Sequence, residues 1–107
     1  RVELLLDMGD ALFHVNCRSD ARKYFMEVLD TGHNLAHAHF FLGRIYMLEG
    51  KPKQAKKHFL ASIRADASKY PDAHRYLGQI YQEARFKDTA IKYYKNYLKL
   101  VDKSTPQ

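Results

Sequence analysis

Apolar residues return every three or four positions along almost the whole chain, the spacing that keeps one face of an α-helix against a core. In the stretch AHFFLGRIY, Ala38, Leu42, Ile45 and Tyr46 share such a face. Farther on, Ala55, Phe59 and Ile63, with Ala67 beyond them, make a second face of the same period. Gly50 ends the first of these helices, and Pro52 suits the opening turn of the next, where its missing N–H has no intrahelical partner to lose. Asn34 is placed to cap the first helix. Pro71, followed by Asp72 at the positive end of the helix dipole, opens the helix after that. The pattern predicts six helices, over residues 2–15, 18–31, 36–49, 52–67, 71–84 and 87–101.

The helices come in repeated pairs. AHRYLGQIY, Ala73 to Tyr81, matches AHFFLGRIY at a displacement of 35 residues, sharing alanine, histidine, leucine, glycine, isoleucine and tyrosine. Ala55 and Phe59 follow the first copy as Ala90 and Tyr94 follow the second. Upstream, Leu5, Met8, Gly9 and Leu12, then Ala21 and Phe25, form a more divergent copy. A glycine inside a helix costs about 0.8–1.0 kcal/mol relative to alanine, so three at matching positions need a packing reason. Two antiparallel helices approach closely where a side chain is nearly absent. Gly43 and Gly78 are therefore expected to mark contact points facing Ala55 and Ala90, with Leu42, Tyr46 and Phe59 filling the space beside them.

The sequence His39, Leu42, Gly43, Tyr46, Ala55, Phe59 resembles the tetratricopeptide repeat, whose signature is W-x2-L-G-x2-Y followed by A-x3-F. Three repeats, 2–35, 36–70 and 71–104, cover nearly the whole chain. Two departures stand out: Leu5, His39 and His74 replace the usual tryptophan, and residues such as His33 and Ala67 replace the usual late proline. The resemblance implies an all-α, right-handed solenoid of three helix-turn-helix repeats, with the first helices lining a concave groove. It implies a non-catalytic scaffold that binds a peptide or helical segment of a partner protein. Groove side chains in this register are Glu3, Leu6, Asp10, Phe13 and His14 in the first repeat. The second supplies His37, Phe40, Arg44, Met47 and Leu48, and the third Asp72, Arg75, Gln79, Gln82 and Glu83. Leu6, Phe13, Phe40, Met47 and Leu48 are expected to form an exposed patch that asks for a cover, with Phe13 and Phe40 as anchors, Met47 adaptable and Arg44 holding an acidic group.

The alternative is a self-associating unit, a homo-oligomer, or an interior segment of a longer superhelix. Ile91, Leu98, Leu100 and Val101 leave an apolar edge with no polar capping helix behind it. Relatives that hold the acidic C-terminal tails of heat-shock chaperones use a clamp of Lys, Asn, Asn, Lys and Arg. Leu6, Asp10, Phe41, Asp72 and Tyr76 stand at those positions, so that clamp is missing.

Composition adds bounds. At 107 residues and 46% hydrophobic content the chain suffices for one small domain. The net charge of +6 is uneven: residues 1–35 carry −2, residues 36–70 +5 and residues 71–107 +3. Lysines concentrate on the second helices, where Tyr93, Tyr94 and Tyr97 lie among them and suggest base stacking. Tyr94, however, belongs to the repeat core, and solvated lysines are the ordinary outer side of a helix, so nucleic acid is the poorer partner. No run approaches the roughly 20 apolar residues of a membrane span. The chain begins at Arg1 and reads as a piece of a longer protein. Cys17 stands alone, which fits a reducing, cytoplasmic setting. His33, His37 and His39 are crowded, but His39 recurs as His74 in a packing slot and no zinc spacing accompanies the others, so no metal or cofactor is expected. Asp10 and His14 lie one helical turn apart with no nucleophile beside them, which points away from an enzyme.

Overall fold

The computed structural model describes residues 1–103, and every regular element among them is helical. The helices are α1 (Val2–His14), α2 (Arg18–Thr31), α3 (Leu35–Leu48), α4 (Pro52–Ala65), α5 (Pro71–Glu83) and α6 (Lys87–Lys103). Pro52 and Pro71 open α4 and α5 in their first turns. Gly32 and Gly50 follow the second and third helices at φ of 74° and 73°, a left-handed conformation that glycine adopts without steric cost. Packing runs from each helix to its neighbour along the chain, α1 on α2, α2 on α3 and so on to α6, which is the architecture of an α-solenoid.

Two local expectations are corrected. Asn34 makes no side-chain cap; its backbone is left-handed, at φ 55°, which turns the chain into α3 without placing its amide over the first N–H groups. The fourth helix stops at Ala65, two residues early, because Asp66 is extended at φ −159° and ψ 102°. The freed Ala67 carbonyl then accepts a hydrogen bond from His74 Nε2 at 3.0 Å.

The helix pairs close through a different contact from the one expected. The glycines meet the aromatic ring one turn beyond the alanine. A Cβ built on Gly43 would lie 2.7, 2.8 and 2.9 Å from three consecutive ring carbons of Phe59, a separation possible only above the ring face. Gly9 stands in the same relation to Phe25, and Gly78 to Tyr94. Ala55 and Ala90 are buried beside these contacts. Around them lie two apolar clusters. One joins Leu6, Phe13, Ala21, Phe25 and Val28 to Ala38, Leu42 and Ile45 of the next repeat. The other joins Phe40, Ala55 and Phe59 to Ala73, Leu77 and Ile80. Buried Ser62 donates to the Ala36 carbonyl at 2.8 Å, tying α4 to the start of α3.

His39 and His74 do occupy packing slots. His74 is buried between the α4–α5 turn and Tyr93. His39 Nδ1 lies 2.9 Å from His58 Nδ1 across α3 and α4, and Tyr46 stacks on the His58 ring at 5.4 Å. A hydrogen bond between two Nδ1 atoms needs one of them to be an unprotonated acceptor. Burial lowers both pKa values, that of His58 from 6.5 to about 4, with His39 and Lys57 adding to the effect. For His39, Arg64 adds to burial.

Two outcomes follow from these contacts. Phe59 is fully buried and its ring cannot retreat, so Gly43→Ala loses about 1–3 kcal/mol to overpacking, against a helix-propensity gain of about 1 kcal/mol. Urea denaturation should show a net loss for Gly43→Ala, a larger one for Gly43→Val, and partial recovery when Phe59→Leu is combined with Gly43→Ala. The histidine pair sets a pH dependence. The unfolded chain takes up protons near the ordinary value of 6.5 while folded His58 resists until about 4, so stability is full above that upper value and falls as pH drops through the interval. Denaturation midpoints compared between roughly pH 7 and 5 should fall for the wild type and fall much less for His58→Phe, which keeps the stack on Tyr46.

Candidate functional site

The structure brings several of the expected groove side chains of the first helices together. Asp10 of α1 and His37 of α3 bond across the repeat junction, Oδ1 to Nε2, at 2.9 Å. Arg44 of α3 is half-buried and lies over Phe13 of α1, its guanidinium carbon 4.8 Å from the ring centroid and 5.9 Å from that of Phe41. On α5, Arg75 lies 4.7 Å over Tyr76 and donates to Asp72 at 3.2 Å; burial opposes its charge, but the hydrogen bond and charge of Asp72, with Tyr76 adding, raise its pKa on balance. His14 is exposed and meets Phe13 edge-on at 5.6 Å.

The exposed apolar patch is not there in the form expected. Leu6, Phe13 and Phe40 are buried, at 8, 7 and 5% exposure. Neighbouring first helices are close enough for aromatic side chains to cover one another. Phe13 meets Phe41 edge-on at 5.4 Å, and Phe40 stacks on Tyr70 at 4.6 Å and meets Phe59 at 5.9 Å with the two rings inclined by 60°. Of the expected patch, Met47 stays half-buried against the second cluster and Leu48 is exposed at 56%. Gln79, Gln82 and Glu83 are exposed on α5, but Gln82 is drawn toward α6, where it accepts a hydrogen bond from the Tyr94 hydroxyl at 2.8 Å. Glu3 is exposed beside the N-terminal amine.

Of the aromatic residues in this wall, Tyr70 escaped the sequence reading, and Phe41 and Tyr76 entered it only as occupants of the missing clamp's positions. The doubled aromatic Phe40-Phe41, aligned with Arg75-Tyr76 in the next repeat, was the available signal, since it places a second ring one residue around the helix. Tyr70 gave none, because it precedes Pro71 in a turn; burial and the charge of Asp10 raise its pKa. Beside it a cleft of about 290 Å³ is lined by Phe40, Lys69, Tyr70, Pro71, Asp72, Tyr97 and Val101. The wall as a whole is aromatic, capped by Arg44 and Arg75, with the Asp10–His37 pair at its first junction. Among the described residues no group of three His, Cys, Asp or Glu side chains is gathered as a metal site would need. No helix among them is long and apolar enough to cross a membrane.

A tetratricopeptide-repeat family model matches residues 36–69. No characterised protein matches by sequence. Among solved structures, the crystal structure of MamA is similar at a TM-score of 0.85 and 22% identity, covering 97% of this chain and 60% of that one. PilF of Pseudomonas aeruginosa is similar at 0.88 and 19% identity, covering 100% and 47%. The second tetratricopeptide-repeat domain of Spaghetti (RPAP3), bound to the HSP90 peptide SRMEEVD, is similar at 0.82 and 18% identity, covering 94% and 92%. This chain thus spans 60% of the length of the MamA chain and 47% of that of PilF. Residues 36–69 thus match the tetratricopeptide repeat, and the glycine contacts repeated in all three helix pairs, with the fold matched from end to end, show the same helix-pair fold along the described chain.

Proposed function

We propose that the chain is a protein–protein interaction scaffold whose inner face holds a peptide or helical segment of a partner, with an acidic side chain of that segment on Arg44. The observation that carries this reading is the state of Arg44. Arg22 and Arg75 each have a carboxylate partner, Glu49 at 2.7 Å and Asp72 at 3.2 Å. No ion pair involving Arg44 occurs among the described residues; two aromatic faces hold its guanidinium in place. A planar fork already fixed on one side loses little rotamer freedom when it binds a carboxylate in two-pronged fashion. Met47 and Leu48, about one turn along α3, supply apolar contact beside it.

A solved neighbour of this fold, the RPAP3 domain, carries an acidic peptide. Here Leu6, Asp10, Phe41, Asp72 and Tyr76 replace the chaperone-tail clamp, so anchoring would run through Arg44 and the aromatic wall instead. The reading involves no catalysis and no cofactor, and the single Cys17 fits a reducing, cytoplasmic setting.

Two peptide libraries of equal apolar content, one with Asp and Glu at its variable positions and one with Lys, separate the possibilities. The wild type should retain members of the acidic library. Arg44→Glu should lose them by about 10- to 100-fold, roughly 1.4–2.8 kcal/mol, with unchanged melting, and Arg44→Lys should keep part of the affinity. Equal retention by Arg44→Glu would remove the groove from the account.

A further inference from the structure

Successive repeats join by inserting the first helix of one into the helix pair of the one before. Ala38, Leu42 and Ile45 of α3 are buried in the cluster of α1 and α2, and Ala73, Leu77 and Ile80 of α5 in that of α3 and α4. The same register on α1 gives Leu4, Met8 and Ala11, and here Leu4 is 62% and Met8 40% exposed. At the opposite end, α6 offers the receiving side. Its Leu98, the counterpart of half-buried Leu29 and Ile63, is 54% exposed, and Ile91 is 41% exposed.

These two faces depart from the inner junctions in a matched way. Inside the stack a cation on a second helix reaches over a ring on the next first helix. Arg22 lies 5.7 Å over Tyr46 and bonds Glu49, and Lys56 lies 5.5 Å over Tyr81. In register, Ile91 stands where Arg22 and Lys56 stand, while Leu12 replaces the ring and Val15 replaces Glu49. Cation and acceptor have been exchanged for apolar groups on both faces at once, and Val15 is 66% exposed. Had these edges only water to meet, the polar set would be the stable choice. The charges also agree: α1 holds Glu3, Asp7 and Asp10 with no Lys or Arg, whereas α6 holds five lysines against two aspartates.

We propose that the α6 face of one copy receives α1 of a second copy, head to tail, as each repeat receives the next, with Ile91 seated against Leu12 and Val15. Such a contact is heterologous and does not close on itself, so copies add in open chains and the inner face is extended from one to the next.

Sedimentation velocity of the 107-residue chain over about 1 µM to 1 mM, with two single variants, tests this. Met8→Lys blocks the incoming face and Leu98→Asp the outgoing one; both side chains are exposed, so circular dichroism should be unchanged. The wild type should form species larger than a dimer, and each variant alone should associate at least tenfold more weakly. An equimolar mixture of the two variants should stop at a one-to-one dimer, since only one pair of intact faces remains. A wild type that stays monomeric throughout would overturn the proposal, leaving those faces to other occupants such as further repeats. So would undiminished association of either variant alone, or a mixture that fails to pair while the wild type assembles.

Discussion

A flat ring lying over a residue with no side chain is the contact on which the rest of this structure depends. At Gly9, Gly43 and Gly78 the space a Cβ would fill is taken by the face of Phe25, Phe59 or Tyr94. Phe25 and Phe59 are wholly buried in consequence. Burying a phenylalanine removes at least roughly 150 Å² from water, worth about 4 kcal/mol as an upper estimate, which exceeds the approximately 1 kcal/mol that glycine costs a helix interior. The contact also fixes geometry, since a ring can sit over only one residue of the facing helix. Repeated at nearly equal intervals, it sets each pair in the same register and lets the third, seventh and tenth positions of one repeat enter the core of the one before.

The inner face inherits that regularity. With neighbouring first helices held at close spacing, Phe13, Phe41, Phe40 and Tyr70 meet ring to ring and make a wall in place of separate exposed anchors. The polar groups that remain accessible are positioned from below, Arg44 resting on two rings, Arg75 on a third and His37 held by Asp10, with Leu48 exposed near them. In the proposed function the aromatic layer would give this face its shape and the cations on top its selectivity.

The helices and their pairing were legible because they rest on strong, local signals: period, proline and glycine punctuation, and self-similarity between Ala38–Tyr46 and Ala73–Tyr81. Helix ends were less so. Asn34 has the composition of a cap but adopts a left-handed turn, and Ala67 continues the period of α4 after Asp66 has already left the helix. The partners of Gly43 and Gly78 were misplaced by one turn, because spacing alone does not say whether a small residue or a ring faces the notch. Burial of Leu6, Phe13 and Phe40 was illegible for a related reason: it comes from side chains of adjacent repeats and from Tyr70 in a turn, contacts that no periodicity within one helix encodes. Arg44 was readable as a groove cation, but the rings that hold it were not.

The proton spectrum of the five glycines tests the central contact most directly, because a hydrogen held over an aromatic face is shifted upfield by the ring current. Gly32 and Gly50 have nothing within 4 Å of a built Cβ and serve as internal references. The account predicts one strongly upfield α-proton at each of Gly9, Gly43 and Gly78, and none at Gly32 or Gly50. Five glycines with α-protons all in the ordinary range would contradict it.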